Sequence, residues 1–366
     1  MSKPRVSIVI VNWKTPRLLA GCLRSLLKDP AARTDFELLV VDNNSGDGSV
    51  EMLRRDFPFV TTIANQDNVG FGRACNQVIP DAKGRYVLLL NPDTVVVDQA
   101  ISKLADFMDA NGDCGGAGPK ILNADGTLQL SCRRSFPSPA VAFFRLTYLS
   151  VLFPRHPAIA RYNLTYADAN QEMEVDALSG SCMMVRMAAI QQIGLLDEDI
   201  FMYGEEIDWC WRLKQAGWTV NYVPAATVYH YHGASSRFRR VGATINLHKG
   251  MEVFYRKHHS QKHHALFNAM VYAAIWMRAC VFVILSWLQN LLPDKEPSET
   301  GVFAAHSEET PNLPLATASS WAADPIDCLP TSPALSGKGA SANLPANEAL
   351  RNSLSPSPES TPRPVR

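Results

Sequence analysis

The stretch Tyr86-Val87-Leu88-Leu89-Leu90-Asn91-Pro92-Asp93 decides the fold. Val87 to Leu90 is a continuous apolar run, too short for a helix and suited to a strand buried on both faces. It follows the solvated breaker Lys83-Gly84-Arg85 and stops at Asn91-Pro92-Asp93. Proline cannot donate to a strand ladder, so the strand ends there. Asp93 then stands just past the carboxyl end of a central parallel strand, the edge at which open α/β sheets bind ligands. The competing assignment makes Asp93 the cap of a following helix, because Val95 to Met108 carries apolar residues at helical spacing.

Working back from this strand, the same alternation repeats. Val6 to Val11 is β-branched and reads as a buried first strand. Thr15-Pro16 opens a helix with Leu19, Cys22, Leu23 and Leu26 on one face. Phe36 to Val41 is a second strand, ending in the polar turn Asp42-Asn43-Asn44-Ser45-Gly46-Asp47-Gly48. A helix through Met52 and Leu53 leads to a third strand, Val60 to Ala64. The loop Asn68-Val69-Gly70-Phe71-Gly72 then opens a helix carrying Arg73 and Asn76. Strands alternating with helices give a mostly parallel α/β sheet flanked by helices. Its carboxyl edge gathers three polar clusters, 42–45, 68–73 and 91–93. A dinucleotide fold is excluded on detail, because Gly-x-Gly-x-x-Gly should follow strand one, where Asn12-Trp13-Lys14-Thr15-Pro16 stands instead. No P-loop is present.

Working forward, Gly115 to Leu122 reads as a strand and Asn123 to Leu128 as a tight turn. Residues 135–173 are irregular, rich in aromatics, prolines and basic residues. Asp176 to Val185 is strand-like again. Phe201-Met202-Tyr203-Gly204-Glu205-Glu206-Ile207-Asp208-Trp209 sets three carboxylates among aromatics at the start of a helix. Acidic residues favour a helix N-terminus, but carboxylates held among apolar neighbours also have raised pKa values and serve as general bases near neutral pH. His230 and His232 then fall on the same side of a strand, as metal-ligand candidates or as hydrogen-bonded core histidines.

The 366 residues balance 35 Lys and Arg against 35 Asp and Glu, so no global field recruits nucleic acid. Eight cysteines are scattered without a Cys-x-x-Cys pair, which argues against zinc and suggests a reducing compartment. The N-terminal apolar run is too short for a signal-peptide core, so a cytoplasmic start is expected. Ala265 to Leu292 is largely apolar with Arg278 its only charge, and a basic run precedes it. That combination suits an anionic membrane surface, lying on it or crossing it. From Pro293 the chain holds 12 of its 24 prolines with no apolar period, and a disordered tail is expected.

These residues, in this order, resemble the inverting family 2 glycosyltransferases of the GT-A (Rossmann-like) fold, and within them bacterial rhamnosyltransferase-like members. The matching pieces are Val6 to Trp13, Asp42-Asn43-Asn44-Ser45, Asn68-Val69-Gly70-Phe71-Gly72, Asn91-Pro92-Asp93, Gly180, Glu205-Glu206-Ile207-Asp208 and His230-x-x-Gly233-x-Ser235. The resemblance implies a catalytic domain over residues 1–260, followed by a membrane-associated helix over 265–292 and the tail over 293–366. It assigns nucleotide-sugar binding to Asp42, Asn44, Asn68, Gly70, Arg73, Asn91 and Asp93. It gives a divalent metal, Mg²⁺ or Mn²⁺, to Asp93 with His230. Asn91 takes the first place of the family's Asp-x-Asp motif, so Asp93 carries the metal alone from that motif. The catalytic base falls to Glu206, or to Glu205 beside it, where the family usually has Asp. The implied partners are a nucleoside diphosphate sugar, a glycan or lipid-linked acceptor, and the inner face of the cell membrane. A dTDP-linked rhamnose is the favoured donor; another UDP- or GDP-sugar, or a silent nucleotide-sugar-binding protein, is the alternative.

Overall fold

A computed structural model describes residues 3–231 and 240–291. The first half alternates as expected. Strand β1 (Val6–Asn12) is buried at every position, and α1 (Pro16–Leu26) follows with Pro16 in its first turn. Next come β2 (Phe36–Asp42), α2 (Ser49–Asp56), β3 (Thr61–Ala64), α3 (Phe71–Asn76) and the fully buried β4 (Tyr86–Leu90). The pairs β1–β2, β1–β4 and β2–β3 are all parallel.

The chain then departs from the helical reading of 95–108. Thr94–Val97 is a strand, β5, and helix α4 begins only at Ala100 and runs to Ala110. Left-handed Asp98 and Gln99 separate the two. Four consecutive β-branched residues prefer a pleated surface when a partner strand is available, and β11 (Thr219–His230) supplies one in antiparallel register. Asp93 therefore does not cap a helix.

The remaining elements are β6 (Cys114–Leu122), β7 (Arg133–Arg134), α5 (Pro139–Leu146), α6 (Leu149–Leu152), β8 (Met173–Glu174), β9 (Ala177–Leu178), β10 (Cys182–Arg186), α7 (Met187–Ile193), α8 (Glu205–Gln215), α9 (Arg240–His258) and α10 (Ala265–Leu291). Asn123–Thr127 forms the expected tight turn, closed by the Asn123 carbonyl accepting from Gly126 N–H.

The main sheet runs β3-β2-β1-β4-β10-β6-β11-β5, with β8 added on β11. Beyond β4 it becomes mixed: β10 lies antiparallel to both β4 and β6, while β6 and β11 are parallel. A separate two-stranded ribbon joins β7 to β9. One apolar core spans the sheet from Leu38 to Val228. The seven cysteines in the described residues are unbridged, and only Cys280 is exposed.

Candidate functional site

The carboxyl edge of the parallel strands is tied together by side chains. Asp42 at the end of β2 is buried and accepts hydrogen bonds from Asn12 Nδ2 (2.8 Å), Ser45 Oγ (2.6 Å) and Ser45 N–H (2.9 Å). Asn43 donates to Asn68 Oδ1 and to the Gly70 carbonyl, which joins the first polar loop to the second. Asn68 Oδ1 also accepts from Gly70 N–H (3.1 Å). Asn44, in left-handed conformation, donates to the Gln66 carbonyl from an exposed position. Arg73 is exposed and paired with Glu198 at 3.1 Å, so it sits on the rim. Asp42, Asn68 and Gly70 thus share one connected wall, to which Asn44 and Arg73 contribute only from outside.

Register sets the second locus. The antiparallel pairing of β5 and β11 puts His230 opposite Thr94, and Tyr231 N–H donates to the Asp93 carbonyl at 2.9 Å. His230 Nε2 then lies 3.1 Å from Asp93 Oδ1, with both residues buried. His230 Nδ1 donates to Gln129 Oε1 at 3.0 Å. That bond turns Nε2 toward a carboxylate oxygen, with Asn91 Nδ2 at 3.3 Å. Two lone-pair donors so close are compatible when a proton or a metal cation stands between them. A ring nitrogen bound to a metal commonly has its other N–H held in this way. The donor set fits a divalent cation, but Asp93 and His230 are only two ligands. No group of three His, Cys, Asp or Glu side chains arranged for a metal occurs among the described residues, so the remaining ligands would be oxygens of the bound substrate. His232, Gly233 and Ser235 lie outside the described residues.

The acidic loop is the third locus. Phe201 to Gly204 enters α8 through two left-handed residues, Tyr203 (φ 73°) and Gly204 (φ 108°). For tyrosine this conformation costs on the order of 1–3 kcal/mol and must be held by its surroundings. Three contacts hold this loop. Phe71 N–H donates to the Phe201 carbonyl at 2.9 Å, and a Cβ on Gly70 would meet that oxygen at 2.5 Å. A Cβ on Gly250 of α9 would meet the Tyr203 carbonyl at 2.2 Å. The loop is clamped between α3 and α9, and the close approaches at Gly70 and Gly250 require glycine.

Glu205 and Glu206 are both buried but have different partners. Glu206 Oε1 accepts from Arg134 Nη2 at 2.7 Å, and Oε2 accepts from Gly204 N–H at 3.0 Å. Its Cβ packs against Gly180, where a methyl group would sit 3.3 Å away. Arg134 also donates to the Leu178 carbonyl. Burial works against the Arg134 charge, but Glu206 and Tyr162 outweigh it and raise the guanidinium pKa. Glu205 Oε2 has no hydrogen-bond partner. Burial, followed by the charge of Glu206, pushes its pKa up to about 8. The pair therefore divides its labour: Glu206 is held in a salt bridge, and Glu205 keeps its proton at neutral pH. Asp208 is a structural member. Burial opposes its ionisation, but His258 at 2.7 Å and Arg212 at 2.8 Å hold its pKa below the usual range.

The loci adjoin. Asn91 N–H donates to the Ser181 carbonyl, one residue from the glycine packed on Glu206. Tyr203 lies within electrostatic reach of both Glu205 and Asp93. Sequence reasoning left Arg134, Gln129 and Tyr203 without roles. Each depends on a long-range partner, although the glycine after Tyr203 marked a turn.

A mixed α/β sheet thus gathers polar loops at one edge, and the buried acid pair adjoins them through Ser181 and Tyr203. Residues 4–247 match the family described as glycosyltransferase like family 2, and the chain belongs to that family. It is a glycosyltransferase. It is 30% identical over 264 residues to N-acetylglucosaminyl-diphospho-decaprenol L-rhamnosyltransferase of Mycobacterium tuberculosis, covering 69% of this chain and 84% of that one. It is 27% identical over 218 residues to rhamnosyltransferase WbbL of Escherichia coli, covering 57% and 78% respectively. Among solved structures it resembles mannosyltransferase PcManGT from Pyrobaculum calidifontis in complex with GDP-Man and Mn²⁺, with a TM-score of 0.49, 14% identity and coverage of 83% of this chain and 79% of that one.

Proposed function

We propose that this enzyme transfers a sugar, with rhamnose from a dTDP donor favoured, to a hydroxyl of a lipid-linked or cell-surface glycan, with inversion at the anomeric carbon. The observation that carries the reading is the adjacency of two buried acidic loci with opposite equipment. Asp93 stands beside an imidazole. Glu206 stands beside a guanidinium. The rhamnosyltransferase relatives support the donor, and the decaprenol-linked substrate named for the mycobacterial relative supports the acceptor.

Asp42 and the loop through Asn68 and Gly70 receive the nucleotide, with Asn91 at their edge. Asp93 and His230 would hold Mg²⁺ or Mn²⁺, which when bound neutralises the charge of a diphosphate leaving group. Glu206 takes the proton from the acceptor hydroxyl as that oxygen attacks the anomeric carbon. Arg134 is a positioning residue. It fixes one oxygen of Glu206 through a 2.7 Å ion pair. Glu205, protonated at neutral pH, is a hydrogen-bond donor to the sugar. The enzyme works at the cytoplasmic face of the membrane.

The test is nucleoside diphosphate release from a panel of nucleotide sugars, with Mn²⁺ and with chelator, in the presence of polyprenyl-diphosphate acceptors. Chelator-sensitive release from dTDP-rhamnose alone is expected. Release from a UDP- or GDP-sugar would move the donor assignment, and equal rates in chelator would remove the metal.

A further inference from the structure

Two segments outside the catalytic loci expose large apolar side chains. The first is the elbow of α5 and α6, where Val151, Leu152 and Phe153 are 68%, 69% and 52% exposed. The second is one stripe of α10. Met277, Ile284 and Trp287 recur at helical spacing and are 55–66% exposed. Such faces rarely stay in water on a soluble protein.

The two segments are neighbours. Arg278 of α10 stacks on Phe282 and pairs with His248 at 2.8 Å. It also lies within electrostatic reach of Arg145 and Tyr148 at the elbow.

Their charge is one-sided. The whole chain balances 35 cations against 35 anions, yet residues 135–167 contain no Asp or Glu and carry three Arg, at 145, 155 and 161. All three are exposed. Residues 240–291 carry six Lys or Arg against Glu252 alone. An exposed apolar face whose own segments carry an excess of cations complements an anionic lipid surface.

Packing decides how α10 meets that surface. Its other face is covered by α9 through Tyr255 with Asn268 (2.8 Å), Glu252 with Trp276 (2.8 Å) and His248 with Arg278. Crossing the bilayer would draw Lys249, Glu252, Arg256 and Lys257 of α9 into hydrocarbon, where ionised side chains are costly.

We propose that the α5–α6 elbow and the outward stripe of α10 form a single docking surface for an anionic bilayer, with α10 lying along it. The proposal rests on the reading of a lipid-linked acceptor and gives it a geometry. Helix α9, between α10 and the catalytic helix, touches both: Phe254 packs on Trp211 of α8, and Gly250 supports the loop before Glu205. The bilayer surface is thereby set beside the acid pair.

The test uses the full chain and vesicles of phosphatidylglycerol mixed with phosphatidylcholine, or of phosphatidylcholine alone, read by flotation without donor or acceptor. Binding to the anionic vesicles is expected, with release by alkaline carbonate. The double variant Val151→Asp, Leu152→Asp should weaken it about tenfold or more, and nucleoside diphosphate release to a soluble acceptor should persist. Resistance to carbonate would overturn the proposal in favour of a crossing helix. Unchanged binding by the double variant would overturn the elbow's part. Dimerisation lost in that variant, without vesicle binding, would assign the surface to a second copy of this chain. Because flotation is scored without transfer, its failure leaves the transfer reading standing.

Discussion

The two adjoining acidic loci each hold a buried carboxylate beside one basic side chain, and that side chain separates their chemistry. At Asp93 the partner is an imidazole, oriented by Gln129 so that its second nitrogen faces the carboxylate. Two lone-pair donors side by side suit a proton or, on the proposed reading, a divalent cation between them. At Glu206 the partner is a guanidinium, which is always protonated and never a ligand. That carboxylate already has a cation at 2.7 Å, so on the proposed reading it serves as the base and not as a metal ligand. On the proposed reading, that difference in partner is what would keep a metal site and a proton acceptor distinct although they adjoin.

The largest effect that would break this comparison is at Asp93. We expect Asp93→Ala to bring transfer below detection at any Mn²⁺ concentration, with the Glu206–Arg134 pair left in place. Activity rescued by excess metal would mean that His230 suffices. Next, Arg134→Met should lower kcat while leaving the donor KM near the parent value, because Glu206 loses the side chain that fixes its carboxylate. Arg134→Lys should recover part of kcat, and an unchanged kcat would leave Arg134 a purely structural role. Removing one partner of a buried pair costs about 3–5 kcal/mol, so thermal melting must be followed alongside. A smaller effect is expected at Gln129→Leu, which should raise the Mn²⁺ requirement about 10–100-fold with kcat at saturating metal retained. Metal dependence matching the parent enzyme would sever Gln129 from the site. The smallest concerns Glu205, whose pKa of about 8 stands above its ordinary value of 4.5. The folded state holds that proton more tightly than the unfolded chain, so stability falls as pH rises between those values. Glu205→Gln should flatten that decline, and parallel melting curves for the two proteins across the window would contradict the raised pKa.

Legibility followed the range of the interactions. Strands β1, β2 and β4 were readable because their buried runs are continuous and their polar turns follow at once. Asp42, Asp93 and the acidic pair were readable as positions for the same reason. Strand β5 was misread because Val95 to Val97 fits a helix by spacing alone, and only pairing with β11, over 130 residues later, makes it a strand. Arg134 was unreadable for a related reason. It lies on a two-residue strand whose partner is Ala177, and no local period announces such a ribbon. The antiparallel β10, which carries the sheet from β4 to β6, likewise looks like any short strand until it is paired.

The most direct measurement is donor binding and transfer on one sample of Glu206→Gln, the first by calorimetry with and without Mn²⁺. The account predicts donor affinity and metal dependence like those of the parent enzyme, with transfer reduced about 10²–10⁴-fold. Transfer near the parent rate would contradict it and move the base to Glu205. Loss of metal-dependent donor binding would contradict it differently, by showing that the two loci are one.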